Sequence, residues 1–243
     1  MIKQQSNWFT TWFNTPYYHI LYKDRDYNEA GVFMTNITNY LNFPENANIL
    51  DLACGRGRHS LYLSKLGYHV TGADLSEDSI AFAKKFENEQ LQFKVHDMTM
   101  PFGKTFDGVF NLFTSFGYFD DEADNVKTLE AIKKNLNENG FAVMDFMNAD
   151  VVIPNLIASE TKVMDGIEFK IERYFENGFI YKDISFQHDK KDYNFTERVR
   201  AFNLGDFEEM FEKLDIYLLD VFGDYQLNKY YKNKSERLIM IFK

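Results

Sequence analysis

Little in this chain of 243 residues could crosslink or stiffen it: it has one cysteine, four prolines and two tryptophans. The single thiol, Cys54, excludes an intrachain disulfide framework and a cysteine-based metal cluster, and it reads as a small buried residue. Long apolar runs are missing as well. No stretch approaches the roughly 18 residues that span a bilayer, and the first ten residues lack the apolar run of a secretion signal, so a cytoplasmic protein with no membrane partner is expected. Basic residues are in deficit, with 27 Lys and Arg against 37 Asp and Glu and a net charge of −10. That balance repels phosphate backbones, and the densest basic cluster, Lys229 to Lys234, is short; no nucleic-acid partner is expected. No repeat or low-complexity segment is present.

Aromatic residues are abundant, with 25 Phe and 15 Tyr. They could line a pocket for an organic molecule or fill the core where other chains use leucine. With 45% hydrophobic residues the chain can bury one large core, which favours one domain with additions over two. Residues 7–22 carry Trp8, Phe9, Trp12, Phe13, Tyr17, Tyr18 and Tyr22, and the spacings 8, 12 and 9, 13 suit one helical face that Pro16 should end or kink. A second helix, about 28–41, carries Ala30, Phe33, Met34, Ile37 and Leu41 on one stripe and stops before Pro44. Residues 1–45 are therefore read as a helical segment that could form a lid on a main body of residues 46–243.

From Asn48 strands alternate with helices. Strands are expected at about 48–53, 68–73, 91–96, 106–112 and 139–147, with helices at 58–66, 76–88 and 121–136. Near-continuously apolar strands separated by helices indicate an α/β fold with a parallel sheet covered on both faces. After Pro154 the texture changes to apolar and charged residues in alternation, and Asn177-Gly178 between two such runs is a strong hairpin signal. A third strand at 195–202 completes an antiparallel ribbon over about 160–203. It is an insertion, because a helix at 204–214 and strands at 216–223 and 236–242 follow.

The chemistry centres on Ile49-Leu-Asp-Leu-Ala-Cys-Gly-Arg-Gly-Arg-His-Ser60, a buried strand, a turn of small residues and the start of a helix. A P-loop is excluded, since no Lys-Ser/Thr pair follows the glycines. Gly55-x-Gly57-x-x-Ser60 is a partial dinucleotide fingerprint, with Asp74 at the distance of a ribose-binding acid. Asp51 in the first strand, Asp74 ending the second and Asp97 ending the third bring three acids to the carboxyl edge of the sheet, where ligands of open α/β sheets bind. A carboxylate at Asp51 gains nothing beside a pyrophosphate; an ammonium-bearing ligand suits it better.

In order, residues 49–57, Val70-Thr-Gly-Ala-Asp-Leu-Ser76, His96-Asp-Met98, Phe106-Asp-Gly-Val-Phe-Asn-Leu-Phe113 and Asn139-Gly-Phe-Ala-Val-Met-Asp-Phe146 make the chain resemble the class I S-adenosylmethionine-dependent methyltransferases. The resemblance covers about 49–243. It implies a Rossmann-like sheet, mostly parallel with an antiparallel last strand, and S-adenosylmethionine as cofactor. The turn Ala53 to Gly57, Gly55 included, would lie against the methionine part, with Asp51 orienting its amino group. Asp74 would bind the ribose hydroxyls, Leu75 and Met98 would sandwich the adenine, and Asp97 would accept from its exocyclic amine. Asn111 and Leu112 would line the methyl side. Ala53 replaces the family's first glycine, a tolerated change if its φ is negative and a strained one if not. Arg58, Tyr22 and Arg25 are candidates for the methionine carboxylate.

Transfer of a sulfonium methyl needs positioning and desolvation, and a base only when the acceptor atom carries a proton. Of the five histidines, His19 and His188 lie outside the sheet elements; His188 is taken as the base, with Tyr118 and Tyr225 shaping the acceptor pocket. The Asn-Pro-Pro-Tyr type of motif that many nucleic-acid amino methyltransferases carry is replaced by Asn111-Leu-Phe-Thr114, which favours a small-molecule acceptor. The ribbon could cover the acceptor or mediate a homodimer. The alternatives are a nucleic-acid or protein methyltransferase and a cofactor-binding protein without catalysis.

Overall fold

The structure, a computed structural model, describes residues 8–23 and 27–243. Its body is one seven-stranded sheet. In chain order the strands are β1 (Asn48–Leu52), β2 (His69–Asp74), β3 (Leu91–Val95), β4 (Phe106–Asn111), β5 (Leu136–Met147) and, after a second sheet, β10 (Leu218–Phe222) and β11 (Arg237–Phe242). They lie in the order β10-β11-β5-β4-β1-β2-β3. β1 to β5 pair in parallel, and β11 runs antiparallel to both β5 and β10. The expected antiparallel last strand is present.

Alternation along each strand sends side chains to two cores. Ile49, Val70, Phe93, Phe110, Ile239 and Ile241 meet α3 (Tyr27–Leu41), α4 (Arg58–Lys65) and α5 (Glu77–Ala83) through Phe33, Ile37, Leu63 and Ile80. Leu50, Leu52, Val109, Met144, Phe146 and Phe242 meet α6 (Glu122–Lys134) and α8 (Leu204–Lys213) through Leu129, Ile132, Phe207 and Phe211. Helix starts are signalled locally: Ser76 caps α5, Asp121 caps α6, and Asn203 with Asp206 makes a capping box at α8. A short helix, α7 (Ala149–Val152), leads out of β5.

The insertion is a four-stranded antiparallel sheet, β6 (Ser159–Met164), β7 (Ile167–Glu176), β8 (Phe179–His188) and β9 (Lys191–Arg200). It has one strand more than the sequence pattern suggested, because no residue of β6 is buried and the strand shows little apolar alternation. The N-terminal aromatic stretch forms two helices, α1 (Trp8–Trp12) and α2 (Pro16–Leu21). The first helix ends before Pro16, which opens α2 at its first turn with Thr15 as the cap. Trp12 and Leu21 close a third core with Ile167, Phe169, Ile171, Ile184 and Phe186 of the ribbon. The segment expected as one lid thus divides: α1 and α2 pack on the ribbon, whereas α3 covers the main sheet.

At the centre of β2, a Cβ on Gly72 would stand 2.5 Å from the Phe93 ring and 2.8 Å from Ser60 Oγ. Gly72→Ala should therefore lower unfolding free energy by about 1–3 kcal/mol, measured by urea denaturation, since a well-packed core resists added volume.

Candidate functional site

The parallel strands end together, and the turns that leave them open on a cavity of about 900 Å³. Asp51, Ala53, Gly55, Arg58, Asp74, Leu75, Asp97, Met98 and Leu112 all line it, as do Tyr22 and Tyr118 from the opposite wall. The three carboxylates differ in surroundings. Asp51 is 1% exposed and accepts the Ser60 hydroxyl at 2.5 Å. Asp74 accepts the Gly55 amide on Oδ2 and the Ser76 amide on Oδ1, each at 2.8 Å, which leaves a lone pair on each oxygen for a pair of hydroxyls. Asp97 is exposed and uses Oδ1 for the amide and hydroxyl of Thr99, both at 2.9 Å.

The turn between β1 and α4 is tightened by three left-handed residues, Ala53 (φ 62°), Gly55 (φ 56°) and Gly57 (φ 81°). Gly57 needs its lack of a Cβ twice over, because that atom would also fall 2.5 Å from the Phe93 ring. Ala53 has the positive φ that makes its Cβ a source of strain, about 1–2 kcal/mol relative to a relaxed backbone. The condition under which alanine would be tolerated is not met.

Burial pushes the Asp51 carboxyl up to about 6 from its ordinary 3.8; the Ser60 hydrogen bonds oppose the rise, the Asp74 charge adds to it and the Arg58 charge opposes it. Burial raises Asp74 too, against the amides of Ser76, Gly55 and Leu75. Burial also holds the Cys54 thiol well above its usual value, so at neutral pH it is a protonated wall residue and not a thiolate.

Several expected residues have other tasks. The Tyr22 hydroxyl donates to both oxygens of Glu197 at 2.6 and 2.7 Å, so its proton is committed to the ribbon. Asn111 is fully buried behind the cavity wall, its amide donating to the carbonyls of Leu52 (3.3 Å) and Ser115 (3.4 Å). Tyr225 is buried and donates to Asp145 at 3.2 Å. The Tyr118 hydroxyl donates to Thr114 O at 2.7 Å, and its ring meets Trp8, Phe9 and Phe13. His188 stands at the far end of β8, 3.1 Å from the Tyr17 hydroxyl, and does not line the cavity; His19 does. Arg25 lies outside the described residues.

Sequence reading missed the polar centre of the roof. Glu197 also accepts Trp12 Nε1 at 2.7 Å, and Lys182 donates to the Tyr22 hydroxyl while lying 3.7 Å from Glu197. Arg198 pairs with Asp120 beside it. Alternation of β9 toward the cavity was the available signal, but the partners are 175 and 185 residues away in sequence.

An acid at the end of each of three consecutive parallel strands, beside a turn with three left-handed residues, is the arrangement of a nucleotide-type site with an attached chamber. A family model described as a methyltransferase domain matches residues 49–140. Over 196 residues, 75% of this chain and 78% of the other, the chain is 30% identical to YqeM of Bacillus subtilis (strain 168), which carries a methyltransferase name. In fold it is similar to an S-adenosylmethionine-dependent methyltransferase from Clostridium acetobutylicum, with a TM-score of 0.79, 23% identity, and coverage of 93% of this chain and 95% of that one. It is also similar to the sugar N-methyltransferase KedS8 of a Streptoalloteichus species, with a TM-score of 0.72, 16% identity, and coverage of 93% and 91%. The chain belongs to the S-adenosylmethionine-dependent methyltransferases.

Three measurements follow from this geometry. Ala53→Gly should raise unfolding free energy by about 0.5–1 kcal/mol in urea, because relief of the left-handed strain exceeds the added entropy of the unfolded chain. For Asp51, the native state holds its proton up to about pH 6 and the unfolded chain only to 3.8, so stability of the unliganded protein should rise as pH falls through that window. Affinity for S-adenosylhomocysteine, measured by calorimetry, should move the opposite way and weaken below about pH 6, where Asp51 loses the negative charge expected to attract the ligand's ammonium.

Proposed function

We propose that the protein transfers the S-adenosylmethionine methyl group to a nitrogen or oxygen of a small organic acceptor. The observation that carries this reading is the extension of the cavity beyond the carboxylates into a chamber walled by Trp8, Phe9, Phe13, Tyr18, Tyr118 and Phe119 under the ribbon. At about 900 Å³ the whole space suits a cofactor with a compact second molecule, and its aromatic walls suit an organic acceptor better than a polymer. Likeness in fold to a sugar N-methyltransferase supports the same reading.

The residues fit the cofactor. The open lone pairs of Asp74 take the two ribose hydroxyls, and Asp51 attracts the amino group. Leu75, 43% exposed, and Met98 offer apolar faces to the adenine, with the second oxygen of Asp97 turned to its amine. Ala53 and Gly55 let the backbone approach the methionine part, and Arg58 faces its carboxylate. Leu112 lines the methyl side; Asn111 supports that wall from behind.

Bound S-adenosylmethionine supplies an activated sulfonium methyl, and the protein's task is in-line placement of the acceptor atom with water excluded. Tyr118, fixed by its bond to Thr114, and the α1 aromatics form the walls that orient the acceptor. An acceptor that must shed a proton would give it to His19 or to solvent, since His188 lies outside the chamber. α1, α2 and the ribbon act together as the lid. The inner face of the ribbon is taken by Trp12 and Leu21, so a homodimer would have to use its outer face. Among the described residues no helix is long and apolar enough to cross a membrane; dependence on S-adenosylmethionine supports a cytoplasmic place of work.

Incubation with S-adenosylmethionine labelled in its methyl group and pools of small amines and alcohols, transfer RNA or denatured protein tests this. Label should enter the small-molecule fraction; label confined to RNA or protein overturns the reading. Asp74→Ala should weaken S-adenosylmethionine binding by about 1.5–3 kcal/mol for each ribose bond lost, seen by calorimetry.

A further inference from the structure

Asp145, near the end of β5, is the fully buried carboxylate on which the loop after β4 hangs. Its Oδ2 accepts the Phe113 amide at 2.9 Å and the Tyr225 hydroxyl at 3.2 Å, and its Oδ1 accepts Arg237 Nε at 2.7 Å. Its backbone oxygen accepts the Thr114 amide at 2.8 Å, and Arg237 Nη2 donates to Thr114 Oγ1 at 3.1 Å. Phe113 and Thr114 both have φ of 61°, two successive left-handed residues neither of which is glycine. Such a backbone persists where its surroundings over-determine it, and the Phe113 amide has the Asp145 carboxylate as its acceptor.

What the clamp holds is the Phe113 ring in the cavity wall. The Arg58 guanidinium lies 4.5 Å from the centre of that ring, His59 is 5.6 Å from it, and Tyr225 stacks at 6.0 Å. Arg58 also approaches His59 Nε2 at 3.3 Å. Its charge therefore rests on an aromatic face whose place is set by a carboxylate on another strand.

We infer that Asp145 is a positioning residue for the amino-acid end of the cofactor, acting through Phe113 and Arg58. The inference rests on the proposed pairing of Arg58 with the cofactor carboxylate. A ligand that keeps the adenosine and lacks the amino-acid end should be indifferent to the clamp. S-adenosylhomocysteine and 5′-methylthioadenosine form that pair, and both would use Asp74 and Asp97.

Calorimetry on the full chain provides the test. In Asp145→Asn an amide replaces the carboxylate and places a donor against Phe113 N–H or Arg237. S-adenosylhomocysteine should bind about tenfold more weakly, the lower end for a misplaced charge-assisted contact, while 5′-methylthioadenosine stays within about twofold. Equal loss for both ligands, or no loss for either, overturns the inference. Since Asp145→Asn removes the charge that partly buried Arg237 pairs with and can unfold the chain, Phe113→Leu is the second variant. It keeps the clamp and removes the face under Arg58, and it should reproduce the selective loss; unchanged S-adenosylhomocysteine affinity overturns the route through Phe113. Arg58→Ala separates the layers. A selective loss there with none in Asp145→Asn or Phe113→Leu refutes the inference alone, and no loss in Arg58→Ala removes the pairing on which it rests.

Discussion

A parallel sheet forces every strand to end at the same edge, because each crossover must carry the chain back before the next strand begins. That constraint decides which acids one cavity collects. β1, β2 and β3 deliver Asp51, Asp74 and Asp97 to one cavity, although the residues lie 23 positions apart in each step of sequence. The same edge brings the loop after β4 against the end of β5, so that Asp145 can hold Phe113. Burial then sets the character of each acid. Asp51, sealed under α4, retains its proton to about pH 6, whereas Asp97 stands in open water.

The second organising contact is the apolar face shared by the N-terminal helices and the ribbon. A four-stranded antiparallel sheet with one apolar face needs a cover, and Trp12 and Leu21 provide it over Phe169, Ile171 and Phe186. At the margin of this face the core turns polar. Trp12, Tyr22 and Lys182 converge on Glu197, a charge that three side chains, from α1, the end of α2 and β8, hold in place. The chamber beneath is closed by Trp8, Phe9 and Phe13 meeting Tyr118 and Phe119.

The main sheet was legible because β1, β2 and β4 are buried on both faces and read as apolar runs ended by acids or small residues. Helix starts were legible where a cap such as Ser76 or Asp121 announced them. β6 was not, since neither of its faces is buried and its residues carry no alternation for a period to reveal. The sign of φ at Ala53 could not be read either: it depends on how Cys54 reaches the Ala73 carbonyl, a contact across β2. The task of Tyr22 and the place of His188 turned on which end of a ten-residue hairpin faces the cavity. Local pattern gives the faces of a hairpin and leaves its ends equivalent. Asp145 stood in a recognisable strand, but its tie to Arg237 links residues 92 apart.

The core between the N-terminal helices and the ribbon has a consequence for descent. Two stretches separated by more than a hundred residues complete one another's hydrophobic surface, so neither can be exchanged alone between relatives without stripping Phe169 and Phe186 of their cover. α1, α2 and the inserted sheet thus form one hydrophobic unit. A change in size at Phe169 or Phe186 would have to be matched in α1 or α2.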